Sequence, residues 1–516
     1  MRHWLSSFLF TILLVSNAWA GGDGKALYQE HCASCHGETR LGGTGPALLP
    51  SNLGRLRAKK AGGVITQGRV GTQMPAFKDT LSEDEITSLV SFIYEHPTIA
   101  PSWKKADIAA SRNMAASTAN VTAPTYKADP LNLFVVVETG DHHATIMDGD
   151  TFDLLTRFPT RFALHGGPKF TPDGRYVFFM SRDGWVMKYD LWALAVVGEV
   201  RAGINSRNIA ISKDGKHLAV ANYLPHTLVI LDTTDLTVEK IFDVADRKKN
   251  SSRVSAVYQA PQRDSFIAAL KDVPEIWEIA TDPNAEPVFE GLVHSHEKGM
   301  VEGLASSKGL FALRRIEVPE PLDDFFFDPQ YRNLIGSARG KAAVVVNLNV
   351  GRDIARIPLP GLPHLGSGIA WTYKGRKIMA TPHLKEGRLT VIDMSDWSVL
   401  KTIETKGPGF FMRSHENTPY AWTDVFFGPN KDLLHVIDKR TLEIVKTLQP
   451  APGKTAAHIE FDRDGSHAIA SIWEKDGAIV IYDAATLEEV KRIPMSKPSG
   501  KYNVWNKITF SEGTSH

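Results

Sequence analysis

The sequence predicts two unlike domains in tandem, a small all-α domain followed by an all-β eight-bladed propeller. Three observations carry that prediction. Both cysteines of the 516-residue chain fall within HCASCHGE at residues 31–38. Helically spaced apolar positions follow at SEDEITSLVSFIYE, residues 82–95. Beyond residue 130, apolar strands ending in an acid or amide recur, most of them 42 to 46 residues apart.

The cysteine pair decides the chemistry of the first domain. C-x-x-C alone fits a redox dithiol or half a zinc site, but His36 directly after Cys35 completes C-x-x-C-H. In that arrangement each thiol forms a thioether to a porphyrin vinyl group and the histidine ligates the iron. Zinc would require a second ligand pair, and no further cysteine exists. The domain therefore reads as a cytochrome c domain, residues 21–96, with Cys32 and Cys35 binding haem c and His36 on its metal. Residues 24–36 read as the helix that carries the motif, and Ser82 as the N-cap of the second helix. Met74, in the Gly- and Pro-bracketed loop GTQMPAF, is the expected sixth ligand, because a thioether is a soft donor suited to haem iron. Such an iron has no open position and should carry electrons.

Residues 1–20, MRHWLSSFLFTILLVSNAWA, run from a basic start through an apolar stretch to Ala-Trp-Ala, the pattern of a cleaved signal peptide. The expected location is the periplasm, with no transmembrane span in the mature chain. Charge is balanced, 59 Lys+Arg against 58 Asp+Glu, which argues against a nucleic-acid partner. Residues 97–130, rich in Ala, Pro, Ser, Thr and Lys without periodicity, read as a linker.

Residues 131–516 carry the repeat. Its anchors are Asp148, Asp190, Asp232, Glu278, Asn347, Asp393, Asp438 and Asp483. Turn signals fall in phase: TPDG at 171–174, SKDG ending at Gly215 and DRDG at 462–465. A period in the forties with about four short strands per unit marks a β-propeller, and eight anchors give eight blades. The 69-residue step from Glu278 to Asn347 must hold an insertion.

RFALHGGPKFTPDGRY, SRDGWVMKYDLW, ANYLPHT, LPHLGSG, TPHLKEG and GKYNVWNKI, downstream of the C-x-x-C-H domain, resemble the cytochrome cd1 family over nearly the whole chain. The resemblance implies a propeller that holds a non-covalent tetrapyrrole, haem d1 or dihydro-haem d1. It places the proximal iron ligand at His165 and tetrapyrrole carboxylates at Arg182 and Arg207, with Tyr223 lining the pocket. Lys169, Arg161 and Arg413 are further cation candidates. A guanidinium suits this task because it grips a carboxylate through two parallel bonds.

Family members either reduce nitrite or complete haem d1 by oxidising a propionate of dihydro-haem d1 to an acrylate. Where the resemblance places the reductases' first distal histidine, in Leu-His-Asp-Gly-Gly, this chain reads Leu322-Asp323-Asp324-Phe325-Phe326, presenting Asp323. The second remains as His364. FFMRSHENTPYAWTD at 410–424 is similar to the biosynthetic branch. The implied activity is dehydrogenation of dihydro-haem d1, with haem c as electron sink. His415 and His364 are the candidate base or distal ligand, and His142, His143 and His458 rank below them. Implied partners are the tetrapyrrole, a cytochrome cd1 nitrite reductase that receives haem d1, and a soluble electron acceptor. The alternatives are a nitrite reductase or a non-catalytic haem d1 carrier.

Overall fold

The computed structural model describes residues 23–43, 45–54, 56–68, 74–115, 120–289, 306–337 and 342–514. The expected signal peptide, 1–20, lies outside them. The chain divides into two compact units, Met1–Thr98 and Ile99–His516.

In the first unit, helix Gly24–His31 starts where the Asp23 carboxylate accepts from Lys25 N, breaks at Cys32, and resumes as the single turn Ala33–His36. Gly37, at φ 77°, ends that turn with a backbone conformation side chains disfavour. Helix Glu83–Tyr94 starts at the N-cap Ser82 read from the sequence, and the structure adds a capping box, since Ser82 and Glu85 satisfy each other's backbone donors. Its buried face, Ile86, Leu89 and Ile93, packs with Tyr28, Leu53, Ile65 and Leu81 into one core, against which Cys32 and Met74 also lie.

In the second unit the described residues form eight four-stranded antiparallel blades. The last strand, Pro498–Asn503, pairs with Leu133–Glu138 and so closes the ring as the innermost strand of the first blade. Each anchor except Glu278 ends the third strand of its blade, and its side-chain oxygen accepts a backbone N–H two residues on. Asp148 takes Asp150 N, Asp393 takes Ser395 N and Asp438 takes Arg440 N. The repeating acid is thus the turn residue of the third hairpin. Glu278 is a correction. It sits inside strand Glu275–Ala280, paired with Arg263 and Arg314. The turn role belongs to Asp282, whose carboxylate accepts from Asn284 N. The expected insertion falls between the third and fourth strands of this blade, where Val288–Phe289 pairs with Ser306–Ser307.

The stretch 97–130, expected as a linker, departs from that expectation. Helix Lys105–Ser111 buries Ile108 in the core of the blade built on 169–201, Trp103 Nε1 donates to Arg201 O at 2.7 Å, and Asn113–Met114 adds a fifth strand to that blade. Short apolar anchors among small residues suffice here, because the blade supplies the partner surface.

Candidate functional site

In the first unit, His36 is buried and its Nδ1 lies 2.7 Å from Pro46 O. A neutral imidazole that donates from Nδ1 keeps its Nε2 lone pair for a metal. The loop fits closely over the ring, since a Cβ on Gly45 would lie 2.8 Å from His36 Cε1. Burial, reinforced by the neighbouring Cys35, pushes the Cys32 thiol up to about 11. Two thiols outside any disulfide, a tautomer-fixed imidazole and Met74 on the same core form a donor set that fits covalent haem c.

In the propeller, His165 repeats the pattern. It precedes the inner strand Lys169–Phe170, bridged to the next strand through Leu164 and Ser181. Its Nδ1 lies 2.8 Å from Arg207 O, and its Nε2 receives Arg182 Nη2 at 2.8 Å and Arg207 Nη1 at 3.0 Å. The structure thus gathers the expected proximal histidine and both expected arginines at one point. Gly166 and Gly167 follow with positive φ, and Cβ atoms there would lie 2.8 Å from Asn208 Cβ and 3.1 Å from Tyr502 Cε1. The two glycines let the His165 turn pass against the neighbouring blades.

His364 sits just before its inner strand Ile369–Tyr373. Its Nδ1 is 2.7 Å from Phe410 O and its ring centroid 4.3 Å from that of Phe410. Burial holds its pKa below the ordinary value despite the nearby Asp324 charge. Asp323 is not the carboxylate that bonds the turn after His364. It pairs with Lys271, close to Arg253 and Tyr223, so the expectation for Asp323 is corrected to Asp324. Asp324 is buried and accepts from Tyr258 Oη at 2.9 Å and Gly366 N at 3.1 Å. Tyr223 lies under Arg253 and Lys271, the partner of Asp323.

His415 is also a correction. It follows its inner strand Met412–Ser414 instead of preceding it, and packs under the turn at Gly465, where a Cβ would meet its ring at 2.3 Å. That is the strand end opposite Phe410 and His364, so His415 is not brought to the pocket. The residues that are brought there are His458 and Tyr502. Strand Ala456–Phe461 has a register irregularity between Ala457 and Glu460, and His458 within it has φ 49°. The bulge turns His458 out of the ladder. Its ring stands 4.7 Å from Phe411 and 5.2 Å from Tyr502, and its buried Nδ1 has no hydrogen-bond partner among the described residues. Burial, then the charges of Lys501 and Arg413, hold His458 well below the ordinary histidine pKa, so it is a neutral acceptor. Burial pushes the Tyr502 phenol up to about 12. Asp424 ties these segments together, since its carboxylate accepts from Phe410 N, Phe411 N and His458 N. Near them are Lys169, Arg413, Lys501 and Lys507 with Glu460, and burial holds the three lysines below the ordinary lysine pKa.

The cytochrome D1 heme domain model matches residues 128–290 and 304–507. The chain belongs to the cytochrome d1 haem-domain family. Residues 20–93 match the model of cytochrome c oxidase, cbb3-type, subunit III. Among relatives of this cytochrome d1 chain, the dihydro-haem d1 dehydrogenase of Pseudomonas aeruginosa is 52% identical over 508 residues, 98% of each chain. A nitrite reductase of Stutzerimonas stutzeri is 27% identical, covering 94% of this chain and 92% of its own. The solved structure of dihydro-heme d1 dehydrogenase NirN in complex with DHE superposes with a TM-score of 0.87 at 51% identity, over 94% of this chain and all of the other.

Proposed function

We propose that this chain is a dihydro-haem d1 dehydrogenase that converts the –CH2–CH2– of one propionate into the –CH=CH– of an acrylate, releasing two electrons and two protons. The observation that carries this reading is the convergence on His165 Nε2 of two guanidiniums, with Tyr502 beside the glycine turn that follows His165 and His458 beside Tyr502. His165 ligates the substrate's iron through Nε2, and Arg182 and Arg207 turn to the macrocycle's carboxylates. His364, held through Nδ1, offers its Nε2 as the distal ligand. Tyr502 lies between the His165 turn and His458, so its hydroxyl touches the reacting side chain and His458 stands behind it as proton acceptor. Haem c on Cys32, Cys35 and His36, with Met74, supplies a one-electron acceptor, emptied by a soluble acceptor. The product passes to a cytochrome cd1 nitrite reductase. These steps take place in the periplasm, in keeping with the N-terminal segment and covalent haem attachment. No helix among the described residues is long and apolar enough to cross a membrane.

Nitrite reduction is disfavoured by the pocket itself. Asp324, engaged as an acceptor beside His364, adds negative charge where an anion would bind and offers no proton. The deciding experiment incubates purified protein with dihydro-haem d1 under argon and analyses the tetrapyrrole by mass spectrometry. Product lighter by two hydrogens supports the reading, and unchanged tetrapyrrole refutes it.

A further inference from the structure

We propose that Asp324 is a positioning residue, a clamp that holds the turn carrying His364 and so fixes the imidazole over the tetrapyrrole site. The inference rests on the reading of His364 as distal ligand and adds what keeps it in place.

The turn Leu365–Ser367 is one short 3-10 element between His364 and the inner strand of its blade. On one side His364 is anchored by its own N–H to Pro382 O at 2.9 Å and by Nδ1 to Phe410 O. On the other side the preceding blade packs Phe326 and Ile335 with Leu365 in one core cluster and supplies a hydrogen-bond acceptor in Asp324, whose Oδ2 accepts from Gly366 N at 3.1 Å. Its Oδ1 is committed elsewhere, to Tyr258 Oη and to Phe325 N, both at 2.9 Å. The residue is only 8% exposed, and three donors on two oxygens hold its carboxylate in one orientation. The approach needs a glycine, because a Cβ on Gly366 would lie 2.3 Å from Asp324 Oδ2. The clamp also explains why an acid is required. An amide at 324 would turn an N–H2 toward either Gly366 N–H or Phe325 N–H, and one donor would then face another donor. A charge-assisted bond from a backbone N–H to a buried carboxylate is among the stronger hydrogen bonds in proteins.

The test uses the full chain with its haem c. Asp324→Asn and Gly366→Ala attack the clamp from its two sides, Tyr258→Phe leaves the Gly366 bond intact, and His364→Ala removes the ligand. Backbone amide exchange of 364–368, measured without tetrapyrrole, is expected to quicken about 10- to 100-fold in Asp324→Asn and Gly366→Ala, and much less in Tyr258→Phe. With ferric haem d1 added as probe, electron paramagnetic resonance should show low-spin iron in the parent and a high-spin fraction in Asp324→Asn, approaching that of His364→Ala. Parent-like exchange in both clamp variants overturns the clamp. If exchange quickens but His364→Ala leaves the spin state untouched, the distal-ligand reading fails and so does the clamp's purpose. If His364→Ala alone changes the spin state, the ligand stands and the clamp is wrong.

Discussion

Tyr502→Phe separates the chemistry of the pocket from its architecture. The substitution removes one hydroxyl and keeps the ring, so the contacts with Gly167 and with His458 at 5.2 Å persist and the tetrapyrrole should bind with nearly parental affinity. What disappears is the group placed on the reacting side chain. Positioned acid–base groups contribute about 10²- to 10⁴-fold, equivalent to about 2.7–5.5 kcal/mol of barrier. The phenol, pushed up to about 12, stays protonated through the working range, so the parent's rate should show no limb from Tyr502 below roughly pH 11. His458→Gln is expected to cost less. It stands behind Tyr502 as proton acceptor, a role the Gln amide cannot fill, so the loss should fall toward the lower end of the same range, about 10²-fold. The assay is anaerobic single turnover, following haem c reduction and tetrapyrrole conversion together. Turnover of Tyr502→Phe within about threefold of the parent, at unchanged affinity, would refute the placement of Tyr502 on the substrate.

His165→Ala should weaken tetrapyrrole binding and change the absorption of the bound ligand while the haem c spectrum stays constant, as titration in the visible would show. Cys35→Ala should leave tetrapyrrole binding in place but abolish electron removal, because the two sites lie in separate compact units; equilibrium dialysis and product analysis check each half. Loaded with mature haem d1 and reduced, the protein should consume nitrite poorly, by roughly 10- to 1,000-fold relative to a family reductase under the same artificial reductant. Burial and the Lys406 charge lower His435 to about 4 from 6.5. The unfolded chain therefore takes up its proton first as pH falls, and the stability present above 6.5 is lost progressively toward pH 4. Thermal melts should show that decline, and His435→Gln should make it shallower.

The blades were legible because their mark is local chemistry. An acid at the third-strand end makes its turn with the next two residues, whatever the rest of the fold does. Glu278 misled because an apolar strand can also carry an inward ion-pair partner, and the true turn acid, Asp282, follows the strand's end at Ala280. The haem c motif and the His165–Arg182–Arg207 group were legible through spacing and family resemblance. The remainder of the pocket depended on parity. Adjacent residues of an extended chain face opposite ways, so Asp323 and Asp324 cannot be ranked without the register. His415 and His458 both lie near inner strands, but one follows its strand and the other is turned out by a bulge, which no periodicity reveals. Tyr502 was visible only as part of GKYNVWNKI, since its role arises from ring closure by the last strand, which pairs it with Val135 of a strand near the start of the propeller.

The central claim is that one chain both holds a dihydro-tetrapyrrole and draws its electrons out one at a time through its own haem c, which passes each on. The most direct measurement mixes ferric haem c protein with stoichiometric dihydro-haem d1 without oxygen, recording the haem c α-band and the tetrapyrrole mass from the same sample. The account predicts that haem c becomes reduced as the tetrapyrrole loses two hydrogens, with two haem c reduced per acrylate formed. Haem c that stays oxidised while the tetrapyrrole is unchanged, or is converted without it, would contradict the account.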